Sequence, residues 1–373
     1  MGCDYIKLAA PGVADLMPYQ PGKPVEELER ELGISDSIKL ASNENPLGPS
    51  PLAIARIRTE LDELALYPDG NGFALKLALS QALGVSQDQI TVGNGSNEIL
   101  ELVARTFLRV GDEVIFSAHA FAVYPIVTQA VGGVARVAAA NSVDHPMPYG
   151  HDLEAMGALI NNKTRLIFIA NPNNPTGTWL LEAELEKFLE TVPEDVIVVV
   201  DEAYFEYVIV DQYPDTTQWL SRFPNLVVTR TFSKIYGLAG LRIGYGVSSD
   251  IIADLLNRVR QPFNTNTLAQ SAACAALKDV EHVRNSVSMN LDGLQQLQAG
   301  FAAMGLQSIP SVANFIAVNL QQPGMEIYDR LLRLGIILRP VDNYGLPEYL
   351  RITVGTRKQN QRVLEALQQV LSV

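Results

Sequence analysis

Val196-Ile197-Val198-Val199-Val200 runs straight into Asp201-Glu202-Ala203-Tyr204. A run of β-branched residues with no polar position has no face to give to water. It therefore reads as a strand covered on both sides, as strands of parallel sheets are. It is far too short to span a membrane. Comparable apolar runs occur at Ile90-Thr91-Val92, Val114-Ile115-Phe116, Val134 to Val137, Leu166-Ile167-Phe168-Ile169 and Leu226-Val227-Val228. Helical segments, among them Pro51 to Leu64 and Phe73 to Leu83, alternate with them. This alternation predicts an α/β fold, a mainly parallel sheet between helices, with ligands at the carboxyl ends of the strands.

The flanks differ from this middle. Residues 1–43, broken by Pro11, Pro18, Pro21 and Pro24, read as an arm with a short helix from Val25 to Leu32. Residues 44–262 read as the large domain. From 263 to 373 the pattern is mixed, and a smaller α+β domain is expected. Its helices are expected at Thr267 to Leu277, Val287 to Met304, Met325 to Leu334 and Arg357 to Leu371. Its strands are expected at Phe315 to Asn319, Ile336 to Leu338 and Leu350 to Val354.

Most of the runs end in polar chemistry. After Val92 comes Gly93-Asn94-Gly95-Ser96-Asn97-Glu98, a glycine turn opening a helix, which suits a phosphate. Glu98 stands where a dinucleotide fingerprint needs its third glycine. Phe121 and Tyr124 offer flat faces to a planar ring, or simply pack in the core. Asn171-Pro172-Asn173-Asn174-Pro175-Thr176-Gly177 forms a rigid turn with spare amides. Asp201 ends an apolar strand, where a carboxylate is costly to bury without a cation beside it. A pyridinium nitrogen would be such a cation.

One strand later comes Thr231-Phe232-Ser233-Lys234-Ile235-Tyr236-Gly237-Leu238-Ala239-Gly240-Leu241-Arg242. Thr231, Ser233 and Arg242 are donors that grip a phosphate. Lys234, buried near other cations, becomes a neutral nucleophilic amine. Lysine plus phosphate grip is what pyridoxal 5′-phosphate (PLP) requires, the lysine holding its aldehyde as a Schiff base. Arg339 and Arg351 lie among apolar neighbours, each suited to an anion or to an internal salt bridge.

Composition limits the partners. The hydrophobic fraction of 47% supports a large core, and the formal net charge of −13 argues against nucleic acid and anionic membranes. Two distant cysteines, Cys3 and Cys274, give no disulfide framework or metal spacing, so a reducing cytoplasm and no metal are expected. The N-terminal residues lack the apolar core of a signal peptide. The four histidines show no ligand spacing; His119 alone lies near the expected pocket.

In their order along nearly the whole chain, Asn171 to Gly177, Asp201 to Tyr204 and Ser233-Lys234 through Arg242 resemble the fold-type-I PLP-dependent aminotransferases. Ala41 to Gly48, Tyr67-Pro68-Asp69-Gly70 and Leu350-Arg351-Ile352-Thr353-Val354-Gly355-Thr356 resemble the histidinol-phosphate aminotransferase branch of that family. The resemblance implies an aspartate-aminotransferase-like fold and transfer of an amino group from histidinol phosphate to 2-oxoglutarate, giving imidazole-acetol phosphate and glutamate. It implies that Lys234 carries the cofactor and moves the proton, Asp201 pairs with the ring nitrogen, and Tyr204 and Asn174 hold the 3′ oxygen. Phe121, where many relatives carry tyrosine, stacks on the ring. Ser96, Asn97, Thr231, Ser233 and Arg242 hold the phosphate, joined by Tyr67 of a second subunit in a homodimer. Tyr19, Asn43, Arg339 and Arg351 line the substrate side. An aromatic amino-acid aminotransferase, a threonine-phosphate decarboxylase and a PLP-binding regulator remain as alternatives.

Overall fold

The computed structural model describes residues 3–10 and 12–372; Pro11 of the expected arm lies outside them. Strand β1 (Ile38–Lys39) belongs to the arm. The next seven strands form one sheet: β2 (Ile90–Gly93), β3 (Glu113–Ser117), β4 (Val134–Ala138), β5 (Thr164–Ala170), β6 (Ile197–Asp201), β7 (Leu226–Thr231) and β8 (Gly244–Ser248). Their order is β2-β8-β7-β6-β5-β3-β4. Strands β3 to β7 run parallel to one another, and β8 is antiparallel to both of its neighbours, β2 and β7. Every residue of β6 is buried, as its unbroken apolar run requires; β4, at the edge, is mostly exposed.

Strand β8 was not among the expected runs because Gly244 and Gly246 interrupt its apolar pattern. Both glycines answer to the helix Ser96–Phe107. A Cβ on Gly244 would lie 2.4 Å from the Ser96 nitrogen, and one on Gly246 2.7 Å from Ile99 Cγ2. Side chains there would push the helix N-terminus off the sheet.

The smaller sheet contains β9 (Gln307–Ser308), β10 (Phe315–Asn319), β12 (Arg339–Pro340) and β13 (Tyr349–Thr353), in the order β12-β13-β10-β9. Between them, β11 (Ile336–Ile337) pairs in parallel with β1, so the arm joins the small lobe. The expected strand Ile336 to Leu338 thus ends at Ile337, and Leu338 separates it from β12. Helix Val280–Ala303 starts two turns before the expected Val287, with Asp279 accepting from the His282 N–H at its cap. Helix Pro51–Glu60 ends a turn early, in a 3-10 turn over Leu61–Glu63.

One helix falls on the other side of the expected boundary. Helix Thr267–Ala276 packs on Pro51–Glu60, and Ala269, Ala272, Ala273 and Ala276 share the large core with Leu75 and Leu79. An alanine-rich helix fits closely against any neighbour, and its own pattern does not tell which core it joins. A separate core of Leu297, Phe301, Ile316, Ile352 and Val363 fills the small lobe.

Candidate active site

Because β5, β6 and β7 are parallel, their last residues reach one edge of the sheet. The register sets Ala170 beside Asp201 and Asp201 beside Thr229, with Thr231 at the end of β7. A cavity of about 420 Å³ opens there, between the sheet edge, the small lobe and the loop after Leu40. Lys234 follows β7 and is half-buried at its wall. The Nζ donates to the Ser42 carbonyl at 2.9 Å. Burial first, then Arg351 and Arg242, hold this amine down at about 8. The loop carrying it is pinned: Gly237 has a φ of +67°, and a Cβ there would fall 2.1 Å from the Gly48 carbonyl oxygen. Asn45 Nδ2 also donates to the Ile235 carbonyl at 2.6 Å.

The part of the cavity suited to a phosphate is built from backbone. Gly95, with a φ of +74°, turns the chain into helix Ser96–Phe107, and a Cβ on it would lie 2.5 Å from Arg242 Nη2. The bare glycine lets the guanidinium sit over the helix N-terminus, where unpaired N–H groups and the helix dipole favour an anion. Arg242 Nη1 also reaches Ser233 Oγ at 3.4 Å, and the Ser233 N–H donates to Thr231 Oγ1 at 3.1 Å.

Asp201 is buried, and its carboxylate accepts from Tyr124 Oη at 3.0 Å and Thr229 Oγ1 at 2.9 Å. Burial raises its pKa, and those two hydroxyls pull it back. Tyr204 Oη accepts from Asn43 Nδ2 at 2.8 Å, which leaves the phenolic proton to be given elsewhere. Burial pushes that phenol well up, so it stays protonated. Asn43 adopts φ +57° and is held by Thr353 and Asn314.

The small lobe contributes Arg339 and Arg351, directly opposite each other on β12 and β13. Both are buried, and among the described residues neither has a carboxylate within ion-pair distance. Arg351 instead donates to Asn174 Oδ1 and to the Ala41 carbonyl, while its Nε has no partner. Arg339 donates to the Gln20 carbonyl at 2.9 Å and lies 5.7 Å from the Tyr19 ring.

The cavity is lined by Tyr19, Asn43, Ser96, Asn97, Phe121, Asn174, Asp201, Tyr204, Thr231, Ser233, Lys234, Arg242, Arg339 and Arg351. Tyr67 lies elsewhere, 82% exposed and stacked on Phe263 with ring centroids 4.7 Å apart. Tyr124 offers no face to the cavity; its ring is buried against Phe168 and only its hydroxyl points to the site, by way of Asp201. His119 also stays out of the lining, with Nδ1 against the Tyr344 carbonyl at 2.6 Å. Thr229, Ser42, Asn314 and Thr353 were missed. For Thr229 a signal existed: the period of two along β7 puts it on the same face as Thr231.

These residues fit PLP. Four cations (Lys234, Arg242, Arg339, Arg351) but only two carboxylates (Glu44, Asp201) line the cavity, so it suits an anion despite the acidic chain. Of these two carboxylates the buried one, Asp201, has hydroxyl donors and, among the described residues, no cation within ion-pair distance, and the cradle at Gly95 is kept bare. An amine beside a cradle suited to a phosphate and a buried carboxylate is what a PLP site requires, and the family comparison supplies the class of enzyme. The family described as aminotransferase class I and II matches residues 35–367, and the chain belongs to that family. It is 58% identical over 374 residues to histidinol-phosphate aminotransferase 2 of Pseudomonas fluorescens, covering all of both chains. It is 56% identical to histidinol-phosphate aminotransferase 1 of Nitrosococcus oceani, covering 98% of each. Among solved structures, the histidinol-phosphate aminotransferase of Sinorhizobium meliloti in complex with pyridoxal-5′-phosphate matches with a TM-score of 0.87 at 30% identity, over 95% of each chain. Aspartate aminotransferase of Thermus thermophilus shares the fold, with a TM-score of 0.84.

Proposed function

We propose that this chain is a PLP-dependent transaminase that moves the amino group of histidinol phosphate to 2-oxoglutarate, giving imidazole-acetol phosphate and glutamate, in histidine biosynthesis. One observation carries the reading. Arg339 and Arg351 line the cavity side by side, and among the described residues neither has a carboxylate within ion-pair distance. Histidinol phosphate brings a phosphate and no carboxylate, whereas glutamate brings two carboxylates. Guanidinium groups accept both anions in the same planar geometry. The curated relatives that match over full length carry the same activity in their names.

PLP, when bound, supplies an aldehyde that captures the amino group and a ring that draws electrons from the substrate. The chain's residues do the rest. Ser96, Asn97, Thr231, Ser233 and Arg242 bind the phosphate and fix the ring's position. Phe121 covers the ring face. Asp201 holds the proton at the ring nitrogen, and Tyr204 and Asn174 donate to the phenol oxygen. Lys234 Nζ would take the proton from the substrate Cα and return it at C4′, the carbon of the cofactor's aldehyde, a task that suits an amine held near 8. Asn43, Tyr19, Arg339 and Arg351 orient the substrate and close it from water.

The reading includes a homodimer, with Tyr67 completing the neighbouring site. Leu61, Leu64, Leu66, Tyr67 and Phe73 form an exposed apolar run of the kind a partner covers. It also includes a large lobe and a small C-terminal lobe joined by the arm, and a cytoplasmic setting. No helix among the described residues is long and apolar enough to cross a membrane.

The test is a single turnover. The loaded protein is mixed separately with histidinol phosphate, phenylalanine, tyrosine and threonine phosphate, without a keto acid. The decay of the visible cofactor band toward pyridoxamine phosphate is followed. Histidinol phosphate is expected to be fastest by a wide margin. A faster aromatic amino acid overturns the substrate assignment.

A further inference from the structure

Asp201 ends β6 with 5% of its surface exposed, and no described lysine or arginine pairs with it. A carboxylate so placed loses its water and needs donors in return. Two neutral hydroxyls supply them, one per oxygen. Tyr124 Oη donates to Oδ2 at 3.0 Å and Thr229 Oγ1 to Oδ1 at 2.9 Å. They arrive from different elements, helix Val123–Ala130 and β7, so the carboxylate is gripped at both ends.

Neither hydroxyl is free to wander. The Tyr124 side chain is fully buried, its ring stacked on Phe168 at 4.6 Å with the planes 4° apart. Thr229 is fully buried and sits opposite Asp201 in the parallel register. Neither residue lines the cavity, and neither hydroxyl has another partner among the described residues.

We propose that Tyr124 and Thr229 are positioning residues that act through Asp201, fixing its carboxylate plane and keeping it ionised, so that it holds the proton at the ring nitrogen of the cofactor. The choice of donor matters. An arginine in their place would neutralise Asp201 and compete with a cationic ring. A hydroxyl stabilises the carboxylate while leaving its charge for that ring. The proposal rests on the assignment of Asp201 to the ring nitrogen given above.

The test is a binding comparison that needs no turnover. Apoprotein is titrated with PLP and with 1-deaza-pyridoxal phosphate, in which C–H replaces the ring nitrogen, and bound cofactor is read from quenching of protein fluorescence. The wild type is expected to prefer PLP by roughly tenfold or more, the value of a charge-assisted hydrogen bond. Tyr124→Phe keeps the stacked ring, and Thr229→Val keeps the volume. Each is expected to shrink that preference by roughly 3- to 10-fold by weakening PLP alone, while Thr229→Ser retains it. A fall in both affinities together would mean a merely structural role and would sink the proposal. If the wild type discriminates and both variants discriminate as well as it does, the proposal also fails, and the Asp201 assignment survives. A wild type that binds the two compounds equally overturns the Asp201 assignment itself. Should Thr229→Val fail to fold, Tyr124→Phe decides alone.

Discussion

A lysine in water titrates near 10.5, and at pH 7 only about 0.03% of it is a free amine. Lys234 is held at about 8. At pH 7 its neutral fraction is then about 9%, a gain of about 300-fold. If the amine is the group that captures the cofactor aldehyde, the capture rate by apoprotein inherits this titration. It should rise about tenfold between pH 6 and 7, bend near 8 and be flat by 9. After burial, the Arg351 cation is the largest cause of the shift, and Arg339 is not among its causes. Arg351→Gln should therefore move the bend to higher pH, each unit of movement costing about tenfold in rate at pH 7. Arg339→Gln should leave the bend in place. The assay is stopped-flow absorbance of apoprotein mixed with excess PLP across pH 6 to 10. A wild-type rate still climbing tenfold per unit above pH 9 would refute the argument, because Lys234 would then behave as a solvated lysine. So would a bend that Arg351→Gln and Arg339→Gln move equally.

Lys234→Ala should abolish the conversion of loaded cofactor by any amino donor, measured as loss of the visible band in a single turnover. Mixed with a Tyr67→Ala variant and allowed to exchange subunits at random, it should recover about a quarter of wild-type activity, since half the dimers would carry one intact site of two; no recovery would mean that Tyr67 serves its own chain. Arg351→Gln should weaken glutamate more than histidinol phosphate, by roughly 10-fold or more for a lost charge-assisted pair, as read from KM in each half-reaction. Gly237→Ala, whose Cβ meets the Gly48 carbonyl, should cost about 2–3 kcal/mol in urea unfolding of the apoprotein. Gly84→Ala, with φ +72° and open space around it, should cost about 1–2 kcal/mol from backbone strain alone.

Asp201 and Lys234 could be read from the sequence because their chemistry conflicts with their surroundings. A carboxylate closing a valine strand and a lysine set among phosphate donors both need a partner. Arg351 could be read for the same reason. Its pairing with Arg339 could not, because that follows from the β12–β13 register, which no local pattern encodes. Tyr124 was visible as an aromatic, but its hydroxyl meets a residue 77 positions away, so its role depends on the fold. Strand β8 was hidden by Gly244 and Gly246, which are there for the helix that crosses it. The alanines of Thr267–Ala276 promised a close-packed helix without saying against what.

The same geometry bears on how substrate and cofactor communicate. Arg351 belongs to the small lobe, yet it donates to Asn174 of the large lobe and to the Ala41 carbonyl in the loop between them. Asn43, in that same loop, is held by Thr353 of the small lobe and donates to Tyr204 of the large one. The Lys234 amine rests on the Ser42 carbonyl. Three successive residues thus tie the amine, the phenol and the guanidinium to one short backbone. An anion can take the free Nε–H of Arg351 and its remaining Nη hydrogens while the bonds to Asn174 and Ala41 persist, so it pulls on both through one rigid fork. Any shift of Ala41 pulls on Ser42 and Asn43, and so on Lys234 and Tyr204, the two groups that the proposed function sets against the cofactor. A lysine in place of Arg351 has one nitrogen instead of a fork, so it cannot hold a carboxylate and both protein oxygens in the same planar geometry.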